Sequence, residues 1–266
     1  MHSHENIRLI KYPNLSFSWW QVIIIIACCK PVAVNGKQLD LAVGWSKPPY
    51  VIASGNTGYE LDLVRTVLHS LGHGITPIYV PFGRANVMLK QGAVDLALTV
   101  KDSMGIDSNQ LSDVYITYQN VALSLKENNI HLDTIADLKS YSIVGFQKAS
   151  LLLGEAYKDA VKKSRLYIEL PEQLRQVEML LTGHTDLVVM DINIFIHLST
   201  ELMGENQLTN VDIHQLFAAS HYKVAFKDPK LKDVFNLALA DFLKSAEHQE
   251  LVDKYAFYKL APLAID

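Results

Sequence analysis

The chain has little cysteine and lacks the short motifs that mark several common catalytic sites. Only two of its 266 residues are cysteines, Cys28 and Cys29. The chain after them therefore has no internal disulfide and no thiolate chemistry. No Gly-x-Ser-x-Gly, P-loop or Gly-x-Gly-x-x-Gly sequence is present, which argues against serine hydrolases of the nucleophile-elbow type, P-loop NTPases and dinucleotide-binding enzymes.

Clustered positive charge and metal-site spacing are also missing. The formal net charge is −4, and the densest basic stretch is only Lys162, Lys163 and Arg165. Nucleic-acid binding needs clustered Lys and Arg, so we expect no nucleic-acid partner. His69 and His73 stand four residues apart without a third nearby ligand. We therefore expect no metal and no cofactor.

Apolar residues, in contrast, are plentiful. Hydrophobic residues make up 49% of the chain and charged residues 20%, which is typical of a folded protein with a substantial core. The length fits one large domain or two lobes of about 100 to 130 residues each.

The first 35 residues have the features of a signal peptide. Arg8 and Lys11 precede an apolar run from Phe17 to Cys29. At about 13 residues this run is short for a membrane span but suits a signal-peptide core. The alternative is a buried strand, because the run is rich in Val and Ile. We expect export, with residues 1–35 as the leader.

The end of this run is similar to a bacterial lipobox, because small Ala27 precedes Cys28. Lipidation at Cys28 would anchor the exported chain to a membrane. Ordinary cleavage near Ala27 or Ala33 is the alternative.

Short apolar strands and amphipathic helices alternate from Gln38 onward. The pattern predicts strands at 39–43, 75–80 and 94–100 with helices at 59–71 and 84–90. A second set has strands at 142–146, 166–170 and 186–190, with helices at 150–162 and 172–182. The segment 112–124 reads as extended, and the last helix is predicted at 229–245, with the helical pattern resuming at 248–255. Strand-helix-strand order implies parallel pairing with right-handed crossovers.

Extended segments near 118–125 and 215–226 separate the two sets and predict two hinge crossings. The expected organisation is a first lobe over 38–120, a second lobe over 121–218 and a return to the first lobe over 219–266. The fold class is thus two-lobed α/β, each lobe having a mostly parallel sheet flanked by helices. Such a hinge suits closure around a ligand.

Several fragments in order resemble type 2 periplasmic solute-binding proteins, specifically family 3 of the bacterial extracellular solute-binding proteins, which includes amino-acid-binding components of ABC transporters. The resemblance covers about residues 38–257. It rests on Pro48-Pro49-Tyr50, Gly58-Tyr59-Glu60-Leu61-Asp62-Leu63, Arg84 with Leu89 and Gly92-Ala93-Val94-Asp95, Ser112-Asp113-Val114-Tyr115, Asp137-Leu138-Lys139, Val144-Gly145-Phe146 and the stretch from Gly183 to Asp191.

The sequence departs from this family at two places. Amino-acid binders usually have Thr-x-x-Arg after the third strand, where the Arg holds the ligand carboxylate, but here the stretch from Thr99 to Met104 contains no Arg. The usual Gly-Thr at the first helix of the second lobe is replaced by Lys148-Ala149-Ser150. The resemblance therefore does not specify an α-amino acid as the ligand.

In the first lobe, five residues are candidate ligand contacts because they follow strands or open helices, where open α/β sheets bind ligands. Trp45 and Tyr50 could form aromatic walls, although Trp45 could instead pack in the core. Glu60 could face the cleft or merely complement a helix dipole. Arg84 could bind an anion or pair with an acid of its own lobe. Lys101 could replace the missing Arg or be a solvated surface residue.

In the second lobe, the candidates are Gln147, Ser150 and Asp191. Gln147 and Ser150 stand at a predicted helix start, where free N–H groups can bind an anion, although capping alone would explain Ser150. Asp191 ends an apolar strand; the resemblance implies contact with a ligand amine, and N-capping of the next helix is the alternative.

The sequence thus predicts a monomeric, exported protein that captures a small polar or charged solute between two lobes, for an ABC-type permease. We expect no enzymatic activity. Two alternatives stay open: an enzyme on the same scaffold, similar to periplasmic dehydratases, and a sensory or partner-binding module.

Overall fold

The computed structural model describes residues 36–258 and 260, except residue 82. The predicted leader over 1–35 and the lipidation of Cys28 lie outside the described residues. So do residues 259 and 261–266, at the end of the predicted return to the first lobe. Among the described residues, no helix is both long and apolar enough to cross a bilayer.

The first lobe is built on a five-stranded sheet in the order β2-β1-β3-β10-β4. Strands β2 and β3 each pair with β1 in parallel, whereas β10 runs antiparallel to both of its neighbours, β3 and β4. Its strands are β1 (Gln38–Gly44), β2 (Gly74–Val80), β3 (Leu96–Val100), β4 (Leu111–Tyr118) and β10 (Ser220–Phe226). Its helices are α1 (Tyr59–Ser70), α2 (Arg84–Lys90), α7 (Pro229–Phe242) and α8 (Ala246–Tyr255).

The second lobe is built on another five-stranded sheet, in the order β7-β6-β8-β5-β9. Its strands are β5 (Asn120–Leu125), β6 (Ser142–Phe146), β7 (Leu166–Leu170), β8 (Leu187–Asp191) and β9 (Val211–His214). Its helices are α3 (Ala149–Leu152), α4 (Glu155–Val161), α5 (Gln173–Leu181) and α6 (Ile192–Met203). Short 3₁₀ helices occupy Ala53–Gly55, Asp102–Met104, Ser108–Gln110, Lys126–Asn128, Ile135–Ser140 and Leu208–Asn210.

Hydrophobic pattern explains these placements. In α1, the buried Leu61, Val64 and Leu68 recur at helical spacing and cover the first sheet. All five residues of β8 are buried, as expected for a central strand covered on both faces. The fold therefore follows from where each element has apolar side chains to bury.

The chain crosses between the sheets twice. It leaves the first sheet at Tyr118 and enters the second at Asn120, and it returns between His214 and Ser220. The Gln119 side chain donates to the Phe217 carbonyl at 3.0 Å, which joins the two crossings. The predicted two-lobed α/β fold with two hinge crossings is confirmed. The crossing strands add antiparallel pairs, so each sheet is mixed.

Apart from shifts of one or two residues at element ends, three predicted segments are divided differently in the structure. The single helix expected at 150–162 is two helices, interrupted at Gly154, whose φ of +92° is incompatible with a continuous α-helix. The extended segment 112–124 is two strands that belong to different sheets. The last helix ends at Phe242, and a new one begins at Ala246 after the N-cap Ser245.

Candidate functional site

A cavity of about 300 Å³ lies between the two lobes. The first lobe lines it from the carboxyl ends of β1 and β3, and the second lobe from the segments that follow β6, β7 and β8. The cavity is thus at the edge where open α/β sheets hold ligands. Its size is at the lower end of small-molecule sites.

In the first lobe, a buried ion pair lies at the cavity wall. The Lys47 ammonium lies 3.1 Å from Glu60 Oε2, and the Glu60 side chain is fully buried. Lys47 also donates to Thr99 Oγ1 at 2.8 Å and lies 4.9 Å from the centre of the Tyr118 ring. Lys47 and Thr99 line the cavity, whereas Glu60 lies behind them.

Hydroxyl groups complete the shell around Glu60. Thr99 Oγ1 donates to Glu60 Oε1 at 2.5 Å, Tyr115 donates to the same oxygen, and Tyr118 donates to Oε2 at 2.9 Å. Burial, and then the charge of Glu60, raises the pKa of both tyrosines well above the ordinary value. The tyrosines therefore stay protonated and act as donors, which satisfies a carboxylate that has no access to water.

Thr99 has an unusual backbone for a β-branched residue. Its φ of +59° lies in the left-handed region, which costs such a residue on the order of 1–3 kcal/mol. In this conformation its hydroxyl bonds Lys47 and Glu60, and its N–H donates to the Tyr115 hydroxyl at 3.1 Å. The strain is thus held in place by the buried network.

Asp191 and Tyr50 connect the two lobes beside the cavity. The Tyr50 hydroxyl donates to Asp191 Oδ1 at 3.0 Å. The same carboxylate caps α6 by accepting from the N–H groups of Asn193 and Ile194, and Oδ2 accepts from Gln119 N–H at 2.7 Å. Burial raises the pKa of Asp191 to about 6, although these hydrogen bonds oppose the rise.

Trp45 does not pack into the core of its lobe. Its side chain is 61% exposed and lines the cavity. Tyr50, the other predicted aromatic contact, is buried and stacks on Tyr118 with ring centres 4.0 Å apart. The structure therefore puts Trp45 at the cavity and Tyr50 behind it.

The predicted anion position at Ser150 is filled by a side chain of the protein itself. Ser150 N–H and Oγ donate to Glu169 Oε1 at 2.9 and 2.7 Å, and Lys148 N–H donates to Oε2 at 2.7 Å. Burial alone would raise the pKa of Glu169, but these bonds and one from Tyr167 lower it below the ordinary value. These donors are therefore engaged within the second lobe.

Of the other predicted contacts, some line the cavity and some do not. Gln147 and Asp191 line the cavity, and Arg84 and Lys101 do not. Arg84 is exposed, and no ion pair to Glu60 or another acid forms among the described residues. Lys101 donates to Ser220 Oγ at 3.1 Å and lies over the Tyr222 ring; burial lowers its pKa.

Sequence reasoning missed several polar residues of the cavity wall, among them Lys47, Asn120 and Gln173. Lys47 belongs to the loop after the first strand that also contains Trp45, so its position was a usable signal. Gln173 follows the predicted strand at 166–170 and opens the next helix, so it had a comparable signal. Asn120 had none, because it begins a strand and its position depends on how the second lobe faces the first.

The chain is a bacterial extracellular solute-binding protein of family 3. The model of that family matches residues 39–258, which is most of the chain. This confirms the resemblance drawn from the sequence. No curated protein matches the chain.

Solved structures of similar shape include ligand-binding and sensor proteins. The GluR0 ligand-binding core in complex with L-glutamate has a TM-score of 0.67 and 16% identity, covering 83% of this chain and 99% of that one. A histidine kinase sensor domain similar to periplasmic binding proteins has a TM-score of 0.67 and 17% identity, covering 82% and 95%. An amino acid ABC transporter substrate-binding protein from Streptococcus pneumoniae, bound to L-arginine, has a TM-score of 0.62 and 21% identity, covering 82% and 94%. At these identities the likeness establishes the type 2 periplasmic binding fold.

Proposed function

We propose that this protein captures a small polar solute in the cavity between its lobes and delivers it to an ABC-type permease outside the cytoplasm. The observation that carries the proposal is the cavity itself, whose wall comes from both lobes. Because both lobes contribute contacts, ligand binding favours the arrangement in which they are close together.

The contact between Tyr50 and Asp191 supports this mechanism. It joins the lobes through one hydrogen bond beside the cavity, next to the chain crossing at Gln119. Small rotations at the two crossings would open the cavity while leaving each sheet intact, since each sheet keeps its own strand pairs.

Export and the transporter partner rest on other support. The family is extracellular by description, the basic and apolar leader favours export, and the Streptococcus pneumoniae neighbour belongs to an ABC transporter. We propose that the protein acts in the periplasm, where it is either free or anchored to the membrane through a lipidated Cys28.

A ligand screen by thermal shift tests the proposal. Amino acids, organic acids, polyamines, sugars and nucleobases are added to the purified protein, and its Tm is measured. A ligand at 100 times its Kd stabilises by about 2.7 kcal/mol, which is a clear Tm rise for a protein of this size. The recovered ligand should be chemically unchanged; conversion to a product would instead support an enzyme, and no shift from any compound would support a partner-binding module.

A further inference from the structure

We propose that the cavity accepts an uncharged solute, with an apolar face and several hydrogen-bonding groups, and disfavours relatives of the same shape that carry a carboxylate. This inference rests on the proposed function, because it names the class of solute that the same cavity takes. Three observations support it: the cation Lys47 is already paired with Glu60, the other charged residues that line the cavity are the carboxylates of Glu172 and Asp191, and several amides of the wall have no partner among the described residues.

The cation of the first lobe is already neutralised. Lys47 lies 3.1 Å from the fully buried Glu60 carboxylate and donates to Thr99 at 2.8 Å. A ligand carboxylate drawn to Lys47 would meet an ion pair and not a free charge. The remaining ammonium hydrogen suits a neutral acceptor, such as a carbonyl or hydroxyl oxygen.

The buried carboxylate of the second lobe is engaged by neutral hydrogen-bond donors, and no ion pair to it forms among the described residues. Asp191 accepts from Tyr50, Gln119, Asn193 and Ile194. Four donors already occupy its two oxygens, so a ligand amine would have to compete with bonds that hold α6 and the interlobe contact. Breaking such bonds in a buried site is costly, because the donors would be left unpaired.

Beside the cavity, the donors at Ser150 and Lys148 N–H are bound to Glu169 at 2.7 to 2.9 Å. Gln147 and Leu152 line the cavity on either side of this segment. The N–H and hydroxyl donors of this segment are therefore already used by Glu169 and do not serve a ligand carboxylate. At the rim, Glu172 also lines the cavity and is exposed, so water screens its charge.

Three side-chain amides of the cavity wall have donors and acceptors that no other described group of the protein uses. Within the described residues, no hydrogen bond is found for the side chains of Asn120, Gln147 and Gln173, although Asn120 is only 4% exposed. Each amide offers two donors and one acceptor oxygen. Together with the exposed Trp45 ring, they fit an uncharged solute that has one apolar face and several donors and acceptors.

The test uses ligand pairs that share a skeleton and differ in charge. The first pair is L-phenylalanine with its N-acetyl amide, the second is gluconate with glucose, and the third is orotate with uracil. They represent amino-acid, sugar and nucleobase ligands, and in each pair only one compound carries a carboxylate. Thermal shift with the purified protein is followed by calorimetry on any compound that binds. We expect one uncharged compound to bind at least about tenfold more tightly than its charged partner, because each charged partner carries a carboxylate for which the described cavity wall has no free cation.

A charged compound that binds as tightly as its neutral partner, or more tightly, would overturn the inference but leave the proposed function intact. Absence of binding by every compound would overturn both. These outcomes therefore separate the class of solute from solute binding itself.

Variants then test the amides. Asn120→Ala and Gln173→Ala should each weaken binding of the uncharged compound by about fivefold to tenfold, the effect of one or two lost hydrogen bonds. Asn128→Ala and Gln91→Ala are matched controls at exposed positions outside the cavity and should bind normally. If Asn120→Ala folds poorly, the half-buried Gln173 still carries the test. Normal binding by Gln173→Ala and by a folded Asn120→Ala would show that the amides do not hold the ligand.

Discussion

Substitution of Lys47 by Met tests whether the ion pair at the cavity stabilises the fold. It removes the cation beside Glu60, whose side chain is fully buried, from a contact of 3.1 Å. Two unit charges at this distance attract by about 5 kcal/mol at an effective dielectric constant of about 20. Removing one partner of a buried pair typically costs about 3–5 kcal/mol, because the other charge loses its compensation.

Three hydroxyl donors still bond Glu60 in this variant, from Thr99, Tyr115 and Tyr118. We therefore expect a loss at the lower end, about 3 kcal/mol. For a protein of this size, that corresponds to a Tm lower by about 6 to 12 °C. Urea and thermal denaturation measure the two values independently.

The exposed pair of Lys158 and Glu155 is the matched control. Its contact is similarly short at 2.9 Å, but both side chains are exposed, so Lys158→Met should leave the Tm unchanged. In the double variant Lys47→Met with Glu60→Gln, neither charge of the buried pair remains, and the loss should be smaller than the sum of the single losses. Equal effects of Lys47→Met and Lys158→Met would refute the reasoning.

Two further predictions concern buried positions outside this pair. The folded-state pKa of Asp191 is raised to about 6 from an ordinary 3.8, so its protonation stabilises the fold below about pH 4, and this stabilisation is lost as the pH rises through 6. Asp191→Asn should remove that trend in urea denaturation between pH 4 and 7, and a wild-type minus variant difference that is constant with pH would contradict it. Gly58→Ala should destabilise by about 3 kcal/mol or more, because φ is +123° and a Cβ would lie 2.4 Å from the Tyr50 carbonyl oxygen. Gly44→Ala, with open space around its Cβ, should lower the Tm little; similar losses in the two variants would show that the close contact has no cost.

Much of the fold could be predicted from the sequence, because strands and helices follow from local hydrophobic spacing. The period of apolar residues in α1 and the apolar run of β8 each predict their element without knowledge of the neighbours. The interruption at Gly154 was missed, since a glycine inside a helical pattern is compatible with either a continuous or a broken helix.

The site was less accessible to this reasoning. Strand ends could be recognised in the sequence, which predicted Trp45 and Asp191 as ligand contacts, and both line the cavity. The pairing of charges could not be recognised, because partners are distant in sequence. The sequence predicts that Glu60 faces the cleft or complements a helix dipole, and it has no local signal for Glu169, which lies within a strand. Both carboxylates are held by groups that come from other strands and loops.

The sequence by itself determined the class of architecture, the approximate strand ends and the family, because these depend on local pattern and on the order of short motifs along the chain. Only the tertiary structure decided which polar groups at the cavity are already satisfied. Hydrogen bonds and ion pairs act over about 3 Å, and that proximity is created by folding. The pairing of Lys47 with Glu60 and of Ser150 with Glu169 is therefore a property of the folded chain, and it supports the proposal of an uncharged solute.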